Sequence, residues 1–239
     1  MSELDHLDAG PVLETVQRLE RRVGARFEGR GLHAVATKLA ALVTEIQGAS
    51  STMTSRNRNA RVASRVLVVV VLVATLAALV LGVRAAVNDG VDRGLDWLPL
   101  IEASVNDVVF AAIALYFLYS LPERIQRGES LRLLHRMRSM AHVIDMHQLS
   151  KDPERLRTTF VATRASLDPA IGSREQMEHY LDYCSEMLSL VGKAAALIAE
   201  DSRDPVVLDA VADVEALTVG MARKVWQKIM VLNDASRSH

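Results

Sequence analysis

The chain has 239 residues, enough for one or two domains, and its net charge of −1 conceals a strong local asymmetry between basic and acidic stretches. Half of the residues are hydrophobic, only 4% are aromatic, and there are 12 glycines and 6 prolines, a composition that favours an all-α protein. The single cysteine, Cys184, excludes an intrachain disulfide and fits a reducing compartment.

The first 60 residues contain two amphipathic runs separated by a break at residues 29–31. In both runs hydrophobic residues recur every three or four positions, the pattern of one buried helix face. The members are Val12, Val16, Leu19, Val23 and Phe27 in the first run, and Leu32, Val35, Leu39, Leu42 and Ile46 in the second. Residues 1–60 are therefore predicted to form a cytoplasmic helical hairpin that packs on the C-terminal region, on a neighbouring chain, or as an oligomeric coiled coil.

Residues 66–83 form an apolar run of 18 residues without a charge. A helix of this length measures about 27 Å, close to the hydrocarbon thickness of a bilayer, about 30 Å. The run begins after some 65 mostly polar residues, too deep for a cleaved signal peptide. We therefore expect a permanent transmembrane helix.

A basic collar precedes this span, in a stretch from residue 47 to residue 88 that contains no acidic side chain. Its members are Arg56, Arg58, Arg61 and Arg65. Near a membrane surface each arginine attracts anionic lipid by about 1 kcal/mol, and such clusters mark the cytoplasmic side. Because the collar adjoins a membrane helix and lacks interleaved aromatic residues, we expect it to face membrane lipids and not nucleic acid.

A second apolar stretch covers residues 97–121 and ends in interfacial aromatic residues. Its uncharged part, residues 108–121, is too short to cross a bilayer, so the helix must also contain Glu102, Asn106 and Asp107. The loop before it, residues 84–96, is short and slightly acidic, whereas arginines follow the span. The sequence thus predicts a two-helix transmembrane hairpin over residues 61–121, in the inner (cytoplasmic) membrane, with both termini in the cytoplasm.

Small residues recur every fourth position in the first span and allow close approach of another helix. They are Ala74, Ala78, Gly82 and Ala86. Asp107 shares a face with Ala103 and Ala111, so docking of the two spans is expected to bring it near Arg84. Two interpretations follow, an ion pair at the outer leaflet or a ring of acids at the mouth of an oligomeric cation pathway.

Residues 122–239 read as a cytoplasmic antiparallel helical bundle, with Pro122 at a helix start. Helices are predicted near residues 123–149, 153–166, 174–201 and 205–233. The last two carry the clearest seams: Met177, Leu181, Cys184, Leu188, Val191, Ala195 and Ile198, and then Val207, Val211, Val214, Thr218, Met221, Val225 and Leu232.

A polar cluster in the first of these helices is the main candidate for chemistry outside the membrane. We expect a hydrogen-bonded polar layer formed by His135, His142, Asp145 and His147 with His179 of the later helix. A metal site or a phosphotransfer histidine is a weaker alternative, because the spacing matches no known metal motif and no kinase domain accompanies it. No metal or cofactor is predicted.

The sequence contains no phosphate-binding glycine loop, nucleophile elbow or paired CxxC, so it does not indicate an enzyme. It indicates a non-catalytic integral membrane protein whose hairpin anchors a helical interaction or regulatory module. Its expected partners are membrane lipids, further copies of itself and an unknown cytoplasmic protein. The alternative is a homo-oligomeric cation channel or transport subunit with Glu102, Asn106 and Asp107 at its mouth.

Overall fold

The computed structural model describes residues 7–88, 98–153, 161, 171, 173–200 and 202–237, with the side chains of these residues except those at 49–61, 86, 99–100 and 234–237. This part of the chain is all-helical and contains no strand, which confirms the predicted fold class. The helices are α1 (Ala9–Phe27), α2 (Gly31–Asn88), α3 (Leu98–Leu149), α4 (Arg174–Glu200) and α5 (Pro205–Arg237). The helix predicted over residues 153–166 lies almost wholly outside the described residues.

Local capping residues set the helix starts. Asp8 Oδ1 accepts a hydrogen bond from Gly10 N at 3.1 Å and so caps α1. Ser173 Oγ accepts from Gln176 N at 3.1 Å at the start of α4, and Asp204 Oδ1 accepts from Val206 N at 2.9 Å at the start of α5. Gly29, with a φ of 70°, separates α1 from α2 in a conformation that favours glycine.

The chain divides into two compact units. The bundle unit comprises Met1–Ser50 and Glu129–His239, and the hairpin unit comprises Ser51–Gly128. The N-terminal helices thus share a compact unit with the C-terminal ones. All ten seam residues of the N-terminal runs are buried in one hydrophobic core with residues of α3, α4 and α5, so these seams pair within the chain.

Helix α4 lies at the centre of the bundle unit. Its predicted seam is buried, as expected, and most of its other faces are buried as well, including Tyr183, Met187 and Leu197. Phe27 at the end of α1 packs edge-on against Tyr180 and Tyr183, with ring centroids 5.4 and 6.1 Å away. Burial on several faces identifies α4 as the helix around which the others pack.

Two helical segments are long and apolar enough to cross a membrane, Val62–Ala85 in α2 and a window within Ile101–Leu149 of α3. None of the apolar window in α2 is buried, and large side chains such as Val73 and Leu76 are more than half exposed. Outward-facing Val, Leu and Phe side chains of this density suit a lipid environment. Residues 84–88, which the sequence analysis placed in the loop, continue α2 as helix.

Pro122 is not at a helix start, because α3 passes through it without interruption. A proline inside a helix has no N–H for the carbonyl four residues earlier, here that of Leu118. Ser64 of α2 donates its hydroxyl hydrogen bond to Leu118 O at 2.6 Å. The donor missing from Pro122 is thus supplied by the neighbouring helix, which is the usual way for a proline to be tolerated within an apolar helix.

Candidate functional site

The polar residues of the second span lie on the outer surface of the hairpin unit. Glu102, Asn106 and Asp107 are exposed in the single chain, as is Arg84 of α2. No ion pair joins Arg84 to Glu102 or Asp107 among the described side chains, and Arg93, the other arginine before the second span, lies outside the described residues. The inward face of α3 is centred instead on half-buried positions, Ser104, Ala111, Ala114, Leu115 and Leu118, which leaves Asp107 outside it.

Two members of the predicted ladder of small residues are turned away from the second span. Ala74 and Ala78 are exposed, Gly82 is half-buried, and Ala86 falls outside the described side chains. The inward face of α2 carries larger residues at the same helical spacing, namely Ser64, Val68, Val71, Thr75 and Leu79. The hydrogen bond from Ser64 to Leu118 O lies on this inward face.

The basic collar lies mostly outside the described side chains. Arg65 is the member that the structure describes, and it is exposed on α2. Arg124 and Arg127 are also exposed, close to the end of the apolar part of α3. The next arginines belong to the bundle unit. Arg132 and Arg136 form ion pairs with Glu45, with nitrogen–oxygen distances of 3.5 and 2.5 Å.

The predicted polar layer is not assembled as one layer. His135 and His142 are exposed, whereas Asp145, His147 and His179 are half-buried. His179 is 3.6 Å from Glu175 and stacks on Tyr183, away from the other members. The described residues contain no group of three or more His, Cys, Asp and Glu side chains that could hold a metal ion.

A different polar cluster forms where α3 ends. Gln148 is fully buried, and its Nε2 donates to Asp145 Oδ1 at 2.6 Å. Lys228 of α5 donates from Nζ to the backbone carbonyls of Gln148 and Lys151, at 2.7 and 2.9 Å. Carbonyls at a helix end have no donor from a following helical turn, so the ammonium caps α3 from another helix. Gln148 Oε1 is buried with no hydrogen-bond partner among the described residues.

Burial governs the electrostatics of this cluster. It lowers the pKa of Lys228 and of Lys151, and it raises the pKa of Tyr180. Burial also raises the pKa of Cys184 to about 12, which keeps the thiol protonated and unreactive at neutral pH. The sequence did not predict that Gln148 and Lys228 meet at the end of α3. The signal for Gln148 was present, because the α3 seam at Met137, Ala141 and Ile144 continues to position 148.

His147 makes the bundle unit sensitive to acid. Its ring lies against Gly31, its Nδ1 is 3.3 Å from the Tyr180 hydroxyl, and burial and the Lys151 ammonium lower its pKa below the ordinary 6.5. Below about pH 6.5 the imidazole of His147 therefore binds a proton more readily in the unfolded chain than in the folded chain. The folded state consequently loses stability on acidification. Above that pH the imidazole is neutral in both states, and stability does not depend on it.

We expect the melting temperature of the full chain to decrease between about pH 7.5 and about pH 5, and the decrease to be smaller in His147→Asn. Asn offers Tyr180 an acceptor near the position of Nδ1 but does not titrate. His142→Asn, an exposed change on the same helix, is the matched control and should melt like the wild type at each pH. Equal acid sensitivity of wild type and His147→Asn would contradict the assignment.

A cleft runs along the surface between α4 and α5, with a cavity volume of about 420 Å³. Helix α4 contributes Ser185, Ser189, Gly192 and Lys193, and α5 contributes Glu215, Thr218, Val219, Ala222, Arg223 and Trp226. Gly192 allows the two helices to approach closely, since a Cβ there would lie 3.0 Å from Thr218 Oγ1. Trp226 is 56% exposed at this cleft.

Comparisons with family models, with curated proteins and with solved structures give no match.

Proposed function

We propose that the protein is a non-catalytic, membrane-anchored interaction module. The hairpin unit anchors the chain in the inner membrane with both termini in the cytoplasm, and the bundle unit binds a cytoplasmic protein. The observation that supports this is the contrast between the two units. Large apolar side chains cover the surface of the hairpin unit, whereas the bundle unit has an enclosed core and an open cleft bearing an exposed tryptophan.

The arginines beside the spans support the proposed orientation. Arg65 and Arg124 are exposed near the ends of the two apolar segments that lie closest to the bundle unit in sequence. Cations at this level favour contact with the anionic lipids of the cytoplasmic leaflet. Positive charge on this side of the spans supports cytoplasmic termini and membrane lipids as a second partner.

The test combines particle mass with cross-linking in cells. A photoreactive residue at an exposed bundle position, such as Leu208 or Val219, is expected to give an adduct of defined mass that is larger than the chain and distinct from its dimer. The mass of the nanodisc-extracted particle then shows how many copies are present. Absence of any hetero-adduct from positions around the bundle would contradict the interaction module.

A homo-oligomeric cation pathway is the second candidate, and the exposed acids favour it. A charged side chain near the centre of a membrane helix costs about 2.5–3.5 kcal/mol, less near the interface, so Glu102 and Asp107 gain from being covered by further copies. Rings of acids at a pore mouth attract cations. Four or more copies in the extracted particle would support this candidate.

Neutralising the two acids tests the pathway directly. If these acids lie at a pore mouth, the double variant Glu102→Gln, Asp107→Asn is expected to reduce cation flux into proteoliposomes at least about tenfold, because the pore mouth loses its negative charge. The particle mass should stay unchanged. Glu123→Gln, an exposed acid beyond the other end of the apolar stretch, is the matched control and should conduct like the wild type. Equal flux in the double variant and the wild type would remove the pathway.

A further inference from the structure

We propose that the α4–α5 cleft is the partner-binding site of the bundle unit, and that its ligand is an acidic amphipathic helix of a cytoplasmic protein. This inference rests on the proposed interaction module and assigns its binding surface and the chemistry of its partner.

The shape of the cleft fits a helix. A connection of only four residues joins α4 to α5, so the two helices are antiparallel and form a straight groove. On α5 the lining extends from Glu215 to Trp226, about 16 Å at 1.5 Å per residue, which corresponds to three turns of a docked helix. The cleft is deep at Gly192, because this residue has no side chain and lies against Thr218.

The apolar surface continues past the end of the cleft. Val219, Trp226 and Met230 lie on one stripe of α5 at spacings of seven and four, and each is more than half exposed. A small ligand that fills about 420 Å³ would leave Met230 uncovered, whereas a helix lying along α5 covers the whole stripe. Exposed Trp and Met residues at helical spacing are typical of grooves that receive the apolar face of a helix.

The charges of the cleft specify an acidic ligand. Lys193 and Arg223 both line it, and neither forms an ion pair within the described part of the chain. The hydrogen bond that Lys193 Nζ donates goes to the neutral Ser189 Oγ, at 2.8 Å. Against these two cations stands one acid, Glu215, so the lining carries a net positive charge. Carboxylates beside the apolar face of a docked helix would neutralise the positive charge of the cleft.

Trp226 provides the readout. The full chain contains two tryptophans, so a Trp97→Phe background in nanodiscs leaves Trp226 as the sole emitter. The probe is a synthetic amphipathic helix with leucines on one face and glutamates on the other, compared with the same peptide carrying lysines. We expect saturable quenching or a blue shift with the glutamate peptide and none with the lysine peptide.

Charge reversal locates the site. Arg223→Glu and Lys193→Glu are each expected to weaken binding of the glutamate peptide at least about tenfold. Lys224→Glu, an exposed neighbour outside the cleft lining, is the matched control and should change the affinity less than about twofold. Equal losses in Lys224→Glu and Arg223→Glu, equal binding of the two peptides, or a response to a nucleoside triphosphate but not to the peptide would overturn the inference.

The same variants separate this inference from the proposed function. If Arg223→Glu abolishes both peptide binding and the hetero-adduct formed in cells, the cleft is the partner site. If the adduct forms undiminished in Arg223→Glu, the interaction module stands and the cleft is not its binding surface. If the wild type forms no hetero-adduct at any bundle position, the interaction module itself fails.

Discussion

Replacing Lys228 by Met is expected to lower the free energy of unfolding of the bundle unit by about 2 kcal/mol. The Lys228 ammonium donates to the carbonyls of Gln148 and Lys151, and a hydrogen bond that involves a charged group contributes about 1.5–3 kcal/mol net. Gln148 O retains a second donor, Lys151 N at 3.1 Å, and burial already lowers the pKa of Lys228, so the full sum is not expected. Met keeps the packing of the stem and removes the donors.

Chemical denaturation of the full chain, followed by far-ultraviolet circular dichroism, measures this loss. Lys224→Met is the matched control, because it lies one turn earlier on α5, is exposed and has no hydrogen bond or ion pair in the described part of the chain. It should change stability by no more than about 0.5 kcal/mol. If Lys228→Met and Lys224→Met have the same free energy of unfolding, the capping of α3 by Lys228 does not contribute to stability.

Replacing Ser64 by Ala is expected to destabilise the hairpin unit by about 1–3 kcal/mol. The variant removes this donor from Leu118 O, and Pro122 has no backbone N–H to replace it. In a Pro122→Ala background the new backbone N–H at that position bonds Leu118 O. The same Ser64→Ala change should therefore cost less than about 0.5 kcal/mol there.

This double-mutant cycle can be followed by reversible unfolding in mixed micelles of detergent and SDS. Ser120→Ala is the control for loss of a hydroxyl in the same unit, because Ser120 donates only to Phe117 O in its own helix. It should have little effect in either background. An equal cost of Ser64→Ala in the wild-type and Pro122→Ala backgrounds would show that the serine does not replace the missing donor.

The contacts of Ser64 and Lys228 have a common physical basis. In each case a backbone carbonyl of α3 has lost its helical donor, one beside a proline and one at the helix end, and a side chain of another helix supplies the hydrogen bond. The serine acts in the hairpin unit and the lysine in the bundle unit. Both contacts therefore link α3 to the helix that carries the donor.

Periodicity and composition by themselves determined the helical class, the two apolar segments and the buried seams. The seam of α4 illustrates why: Met177, Leu181 and Cys184 recur at the helical period, and burying one face of a helix requires that recurrence whichever neighbour covers it. The capping residues Ser173 and Asp204 were equally readable, since a cap acts within its own turn.

The tertiary structure decided which neighbour each face meets. A sequence pattern assigns Pro122 to a helix start, because the energy of a proline within a helix depends on a donor, Ser64, more than fifty residues away. The pattern also predicts a packing face at Ala74 and Ala78, but both are exposed in the structure. Gln148, Lys228 and the cleft beside Trp226 arise in the same way, because contacts between helices depend on how they are rotated and paired, and the periodicity within one helix carries no information about its partner.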